Sequence, residues 1–137
     1  MARPFIKPII SPKEAARKVK SGTSLMVGGF NYGGAPYTLI DALCEEGTTM
    51  IDLICVDTSY FNDKVKEPVG VAKLVVNGQL RSFIGSHIGL NKRTQELCTS
   101  GKIKIDLIPM GTYVERIRAG GAGLGGVLTR TGVDTVY

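Results

Sequence analysis

The sequence predicts an open α/β fold, a mostly parallel sheet with helices on both faces. Three observations carry this. Short apolar runs alternate with helix-period segments at intervals of about 25 residues, the rhythm of βαβ units. The run at Met50–Val56 is almost continuously apolar, as a parallel strand covered on both faces would be. Finally, four glycines fall within seven residues, Gly28 to Gly34, between an apolar run at Ser24–Val27 and a helix start at Pro36. At 137 residues the chain suits one domain, residues 1–137, with a core of its own.

Taken in order, residues 1–10 form an extended entry interrupted by prolines. Ser11-Pro12-Lys13-Glu14 is a helix start: serine can cap, proline fits the first turn, and glutamate three residues on completes a capping box. That helix is expected to reach Lys20 and stop near Gly22. Lys13, Arg17 and Lys20 share a face, read as solvated. Ser24–Val27 is the first strand. The helix from Pro36 to Glu46 carries Leu39, Ile40 and Leu43 at helical spacing and ends at Gly47. Met50–Val56 is the second strand, Thr58–Pro68 is irregular, and Val69–Val76 is a helix closed by Asn77-Gly78. Arg81–Gly85 is the third strand. Asn91 caps a helix to Ser100, ended by Gly101. Ile103–Pro109 is the fourth strand, Tyr113–Ala119 a short helix, Gly120–Gly126 a second glycine-rich loop, and Val127–Tyr137 extended chain.

Composition narrows the function. The formal charge is +5, which favours an anionic ligand. The basic residues are scattered with no aromatics between them, which argues against nucleic acid. Cys44, Cys55 and Cys98 form no CxxC pair and read as reduced thiols of a cytoplasmic protein. No secretory signal and no membrane-length apolar run is visible. His87, the single histidine, has no cysteine or acid at ligand spacing, so no metal site is expected.

In open parallel sheets, ligands bind beyond the C-terminal ends of the strands. The loops at Gly28, Asp57–Tyr60, Ser86-His87 and Met110 all belong to that edge. Gly28, Gly29, Phe30, Asn31, Tyr32, Gly33 and Gly34 are the candidate binding residues. Glycine lets backbone approach a ligand, and a helix start offers free N–H groups to a phosphate or a developing oxyanion. The formal G-x-G-x-x-G from Gly121 to Gly126 lacks the preceding strand and following helix of a dinucleotide site. Glu115 and Asp134 lie nearest the glycine loops but have no acid partner. Glu115 is placed to pair with Arg118.

Three blocks carry a family resemblance. Val27-Gly28-Gly29-Phe30 with Gly34-x-Pro36, then Ser86-His87-Ile88-Gly89-x-Asn91, then Glu115–Gly123 with Leu128-Thr129-x-Thr131-Gly132-Val133, resemble the α subunit of family I CoA-transferases. The likeness, spanning about residue 11 to the end, is to the acetate, butyrate, acetoacetate and succinyl-CoA:3-oxoacid types. It implies the CoA-transferase (NagB-like) α/β sheet, cut short at the C-terminus. It implies transfer of CoA from an acyl-CoA to a short-chain carboxylate, by ping-pong through a thioester on a glutamate of a β subunit. No catalytic residue is then expected in this chain and no permanently bound cofactor, with coenzyme A entering as substrate. Gly28–Gly34 would be the CoA-binding stretch, and the protein a hetero-oligomer that self-associates when isolated.

The chain departs from the family pattern in three places. Met110 stands where Pro-Gln-Gly-Thr places an oxyanion-assisting glutamine, and a thioether cannot donate. Arg130 replaces a proline, and Asp134 a glycine. These departures and the early stop support the alternative, a truncated, non-catalytic relative acting as a binding or interaction module.

Overall fold

A computed structural model describes residues 7–62 and 67–135. The expected extended entry before Lys7 lies outside the described residues, as do 63–66 and the last two positions. Four strands, β1 (Ser24–Met26), β2 (Ile51–Ile54), β5 (Leu80–Gly85) and β6 (Lys104–Leu107), form one sheet in the order β1-β2-β5-β6. Every neighbouring pair in it is parallel. The helices are α1 (Pro12–Ala16), α2 (Tyr37–Glu46), α3 (Ala72–Val76), α4 (Lys92–Thr99) and α5 (Met110–Gly121). This is the open α/β class with a parallel sheet that the sequence predicts, except that the helices connecting the four strands share one face where both faces were expected to be covered.

Register explains where the core lies. Leu25, Leu53, Phe83 and Ile105 stand side by side across the four strands, one residue from each. Leu53 and Phe83 are fully buried among Ile40 and Leu43 of α2 and Leu74 and Val75 of α3. A sheet that grows in one direction through right-handed crossovers places its connecting helices on one face. The opposite face presents Met26, Ile54, Ile84 and Asp106, and at its edge Met26 is 57% exposed.

Local signals behave as their chemistry demands. The Ser11–Glu14 capping box is complete: the Glu14 N–H donates to the Ser11 hydroxyl at 3.2 Å and the Ser11 N–H to the Glu14 carboxylate at 2.8 Å. Gly47 takes φ 70° and ends α2. The Asn91 side chain accepts from the Thr94 N–H at 3.2 Å and caps α4.

Four expectations are corrected. The first helix is regular only to Ala16, and the Lys18 and Val19 N–H groups then bond three residues back, tightening the last turn. Between Thr58 and Pro68 the chain forms a small antiparallel ladder, β3 (Phe61–Asn62) with β4 (Glu67–Pro68), so the stretch is not wholly irregular. The last helix starts at Met110 and runs through Gly120 and Gly121. Its stop is Gly123, at φ 70°, whose N–H bonds the Gly120 carbonyl while the Leu124 N–H bonds that of Ala119. That is the paired bonding of a Schellman end, and it moves the second glycine loop's start to residue 122. After it, residues 127–130 have no regular structure and residues 131–135 form turns instead of extended chain, with N–H bonds from Val133 to Arg130 and from Thr135 to Gly132.

Two strand contacts lead to measurable consequences. At Gly85 a Cβ would lie 2.2 Å from the Cys55 carbonyl oxygen and 2.3 Å from the Phe83 ring, with backbone on one side that cannot yield. Gly85→Ala should therefore cost about 3 kcal/mol of stability, read by urea denaturation. On the open face, Arg81 and the Ser82 hydroxyl, the latter at 2.5 Å, both hydrogen-bond the Asp52 carboxylate. Arg81 first, then Ser82, holds that carboxyl down at about 2. An unfolded aspartate titrates near ~3.9. The stabilisation is thus complete above about pH 5 and is lost as the pH falls towards 2. The melting-temperature gap between the parent chain and Asp52→Asn should be constant from pH 8 to about 5 and close below it.

Candidate functional site

The glycine loop leaves the sheet at a defined point. The Val27 N–H still bonds the Ile54 carbonyl at 3.0 Å, and Gly28 is free of the ladder. Gly28 keeps an ordinary φ, and a Cβ there would meet nothing within 4 Å. Gly29 has φ 120°, and its Cβ would lie 3.1 Å from the backbone of Ala35, so the chain here touches the entry to α2. Phe30 and Gly33 exchange two backbone bonds, 2.9 and 2.8 Å, closing a tight turn with Asn31 and Tyr32 at its tip. Asn31 sits at φ 54°, a conformation asparagine tolerates better than most side chains. Gly34, at φ 72°, faces open space.

The loop's amides divide into two groups. Those of Phe30, Asn31 and Gly33 already donate within the protein. Those of Gly28, Gly29, Tyr32 and Gly34 have no protein partner among the described residues. The start of α2 has no side-chain cap either. Four amides thus remain for a ligand where the sequence offers seven candidate residues. Around them Phe30 and Tyr32 are exposed, and the Tyr32 ring meets that of Tyr60 edge to face, with centroids 5.7 Å apart.

A buried polar node holds this loop from below. Asp57 follows β2 and is 6% exposed. One of its carboxylate oxygens accepts the Asn31 N–H at 2.8 Å and the other accepts the Ser59 N–H at 2.7 Å. The Ser59 hydroxyl donates to the Asn31 carbonyl. Next door, the Asn91 side chain donates to the Thr58 carbonyl at 2.9 Å, and the Thr94 hydroxyl to the Thr58 hydroxyl at 2.9 Å. Asp57 also forms a parallel bridge with His87 beyond β5. The structure therefore brings together three of the expected edge segments: the glycine loop, Asp57–Tyr60 and Ser86-His87. Sequence reading placed Asp57 at this edge without giving it a task. The available signal was Asp-x-Ser, a pattern in which a carboxylate bonds an amide two residues on.

The other candidates are placed more plainly. His87 is exposed, and its ring lies over Gly89, where a Cβ would be 2.7 Å from Nε2. Cys55 donates to the Asp57 carbonyl at 2.8 Å, and burial first, then the Asp57 charge, pushes its thiol up and away from thiolate chemistry. Met110 opens α5 and is 45% exposed. It follows β6, three strands from β1, so about 14 Å of sheet separates it from the glycine loop. Both Arg118 donors reach one Glu115 oxygen, at 2.9 and 2.7 Å, which is the expected pairing. Asp134 takes φ 62°, the conformation that glycine adopts most freely. Among the described residues, no group of histidine, cysteine or acid side chains could hold a metal ion. No helix among them is long and apolar enough to cross a membrane.

Comparison with known proteins gives a consistent result. The model of the family described as Coenzyme A transferase matches residues 9–137. The acetate CoA-transferase subunit alpha of Escherichia coli strain K12 is 42% identical over 128 residues, 93% of this chain and 56% of that protein. The acetoacetyl-CoA:acetate/butyrate CoA transferase alpha subunit of Clostridium acetobutylicum is 43% identical over 117 residues, 85% of this chain and 51% of that one. The chain thus spans about half the length of the curated relatives it matches. Among solved structures, the glutaconate coenzyme A-transferase of Acidaminococcus fermentans superposes with TM-score 0.70 at 18% identity, over 89% of this chain and 39% of that one. That likeness bears on the fold. With residues 9–137 covered by the family model and 42% identity to an α subunit, this chain belongs to the coenzyme A transferase family.

Proposed function

We propose that the chain is the N-terminal part of a CoA-transferase α subunit. It would take part in moving CoA between an acyl-CoA and a short-chain carboxylate such as acetate, butyrate or a 3-oxoacid. One observation carries this reading. The only carboxylate buried at the glycine-loop edge, among the described residues, is committed to two backbone amides. A buried carboxylate already bonded on both oxygens is a poor nucleophile for a thioester, which supports a nucleophile supplied from outside this segment. The relatives' names, which include the word alpha, support a β-type partner, and in this reading that partner supplies the glutamate.

In this reading coenzyme A is substrate, and no cofactor stays bound. The unpartnered amides of Gly28, Gly29, Tyr32 and Gly34 meet its phosphates or the thioester oxygen, with Phe30, Asn31 and Gly33 shaping the turn. An extended ligand such as CoA can touch both this loop and the Met110 end of the sheet, which a small molecule cannot. The three free thiols fit a reducing cytoplasmic setting. The assembly is a hetero-oligomer. The isolated chain would associate with itself through the half-exposed sheet face.

Mixing the chain with a β-type subunit tests this. The chain alone should give no acyl exchange, and the pair should turn over acetyl-CoA with acetoacetate or butyrate. Gly28→Val is the preferred probe of the loop, because its side chain enters open space at an ordinary φ. It should raise the KM for acyl-CoA about tenfold and leave the circular dichroism spectrum native. Gly29→Val is the poorer probe, since a branched side chain at φ 120° beside Ala35 strains the fold itself. An unchanged KM in Gly28→Val would return the loop to a purely structural part.

The second reading, a non-catalytic binding module, draws on Met110, whose thioether offers no N–H to an oxyanion. Restoring a donor with Met110→Gln should raise kcat of the assembled enzyme by about a hundredfold, the usual worth of one such donor. No turnover with any β-type subunit, in either form, would favour the module.

A further inference from the structure

We infer that Asp57 is the positioning residue that sets the glycine loop for CoA, an inference that rests on the functional reading above. The turn at Phe30–Gly33 is bonded to itself, its tip is largely exposed, and Asn31 occupies a left-handed conformation. Its ties to the body of the protein at Asn31 are two: the Asn31 N–H to the Asp57 carboxylate and the Asn31 carbonyl to the Ser59 hydroxyl. Asp57 in turn fixes Ser59, whose own φ of 56° is held by the bond from its N–H to the second carboxylate oxygen. A single carboxylate thereby locks two left-handed residues in register. Its placement draws the Asn31 N–H inwards and leaves the Gly28, Gly29, Tyr32 and Gly34 amides free for a ligand.

The arrangement is informative because plain electrostatics predicts the opposite result. A negative charge beneath a site for phosphates or an oxyanion should weaken anion binding, so removing it should tighten the complex. A positioning carboxylate makes its removal harmful. The Asn31 and Ser59 amides meet separate oxygens of Asp57, so an asparagine at 57 would set its donor nitrogen against one of them.

The experiment uses the full chain assembled with its β-type subunit, with acetyl-CoA as the probe. Asp57→Asn should raise the KM for acetyl-CoA about tenfold while kcat stays within about threefold. Amide exchange at residues 30–34 should quicken by at least tenfold. Ser59→Ala, which removes only the hydroxyl bond to Asn31, should move both in the same direction by a smaller factor. It carries the test alone if Asp57→Asn does not fold. A KM that falls or stays level, with loop exchange unchanged, overturns the proposal. Gly28→Val separates the two levels of inference. If it raises KM and Asp57→Asn does not, Asp57 has no positioning role. If neither raises KM yet exchange still quickens in Asp57→Asn, the strut stands and the CoA assignment of the loop falls.

Discussion

Strands β2 and β5 meet at their C-terminal ends more closely than any side chain on Gly85 would permit, and much of the molecule is arranged around that contact. The Cys55 N–H bonds the Ile84 carbonyl and the Ser86 N–H bonds that of Val56, so the ladder continues past the regular strands. This carries Asp57 and His87 beyond the sheet side by side. Leu53 and Phe83, adjacent on the same pair, form the centre of the core. Packing and site geometry therefore share one backbone constraint: a change that separates β2 from β5 would loosen both.

The site is an economical one. At the loop, backbone amides are left unpartnered, glycines keep side chains out of the way, and one buried carboxylate ties Asn31 to Ser59. Burying a charge is costly unless it is hydrogen-bonded, and Asp57 meets that condition with two amides. It is then unavailable for chemistry. In the proposed reading, the glycine-loop edge holds and polarises a ligand, and bond-making is left to a group that approaches from outside this segment.

Much of the fold was legible because its signals are local. Ser11 with Glu14, Gly47, Asn91 and Gly101 each act within four residues of themselves, and the apolar runs mark their strands directly. Where the reading failed, two local signals competed or the cause was distant. Gly120 and Gly121 look like breakers, yet glycine can adopt helical angles, and only the left-handed turn at Gly123 stops α5. The polar node joins residues 26 to 36 positions apart, such as Asn31 with Asp57 and Thr58 with Thr94, and no window of sequence shows such a pair. Membership of the family was visible in the three motif blocks. Which loop amides remain free was not, because that depends on the Asp57 strut.

The strand order has a consequence for how the chain is made. In β1-β2-β5-β6 each strand of the main sheet is laid against the one that precedes it in that sheet, with no later strand inserted between two earlier ones. Loop closures stay short, and the sheet can grow from the N-terminus outwards as the polypeptide leaves the ribosome. The first platform, β1 with β2 under α2, already contains the whole glycine loop. Its strut, Asp57, is the next element to emerge, so the loop can be set before β5 and β6 have been synthesised.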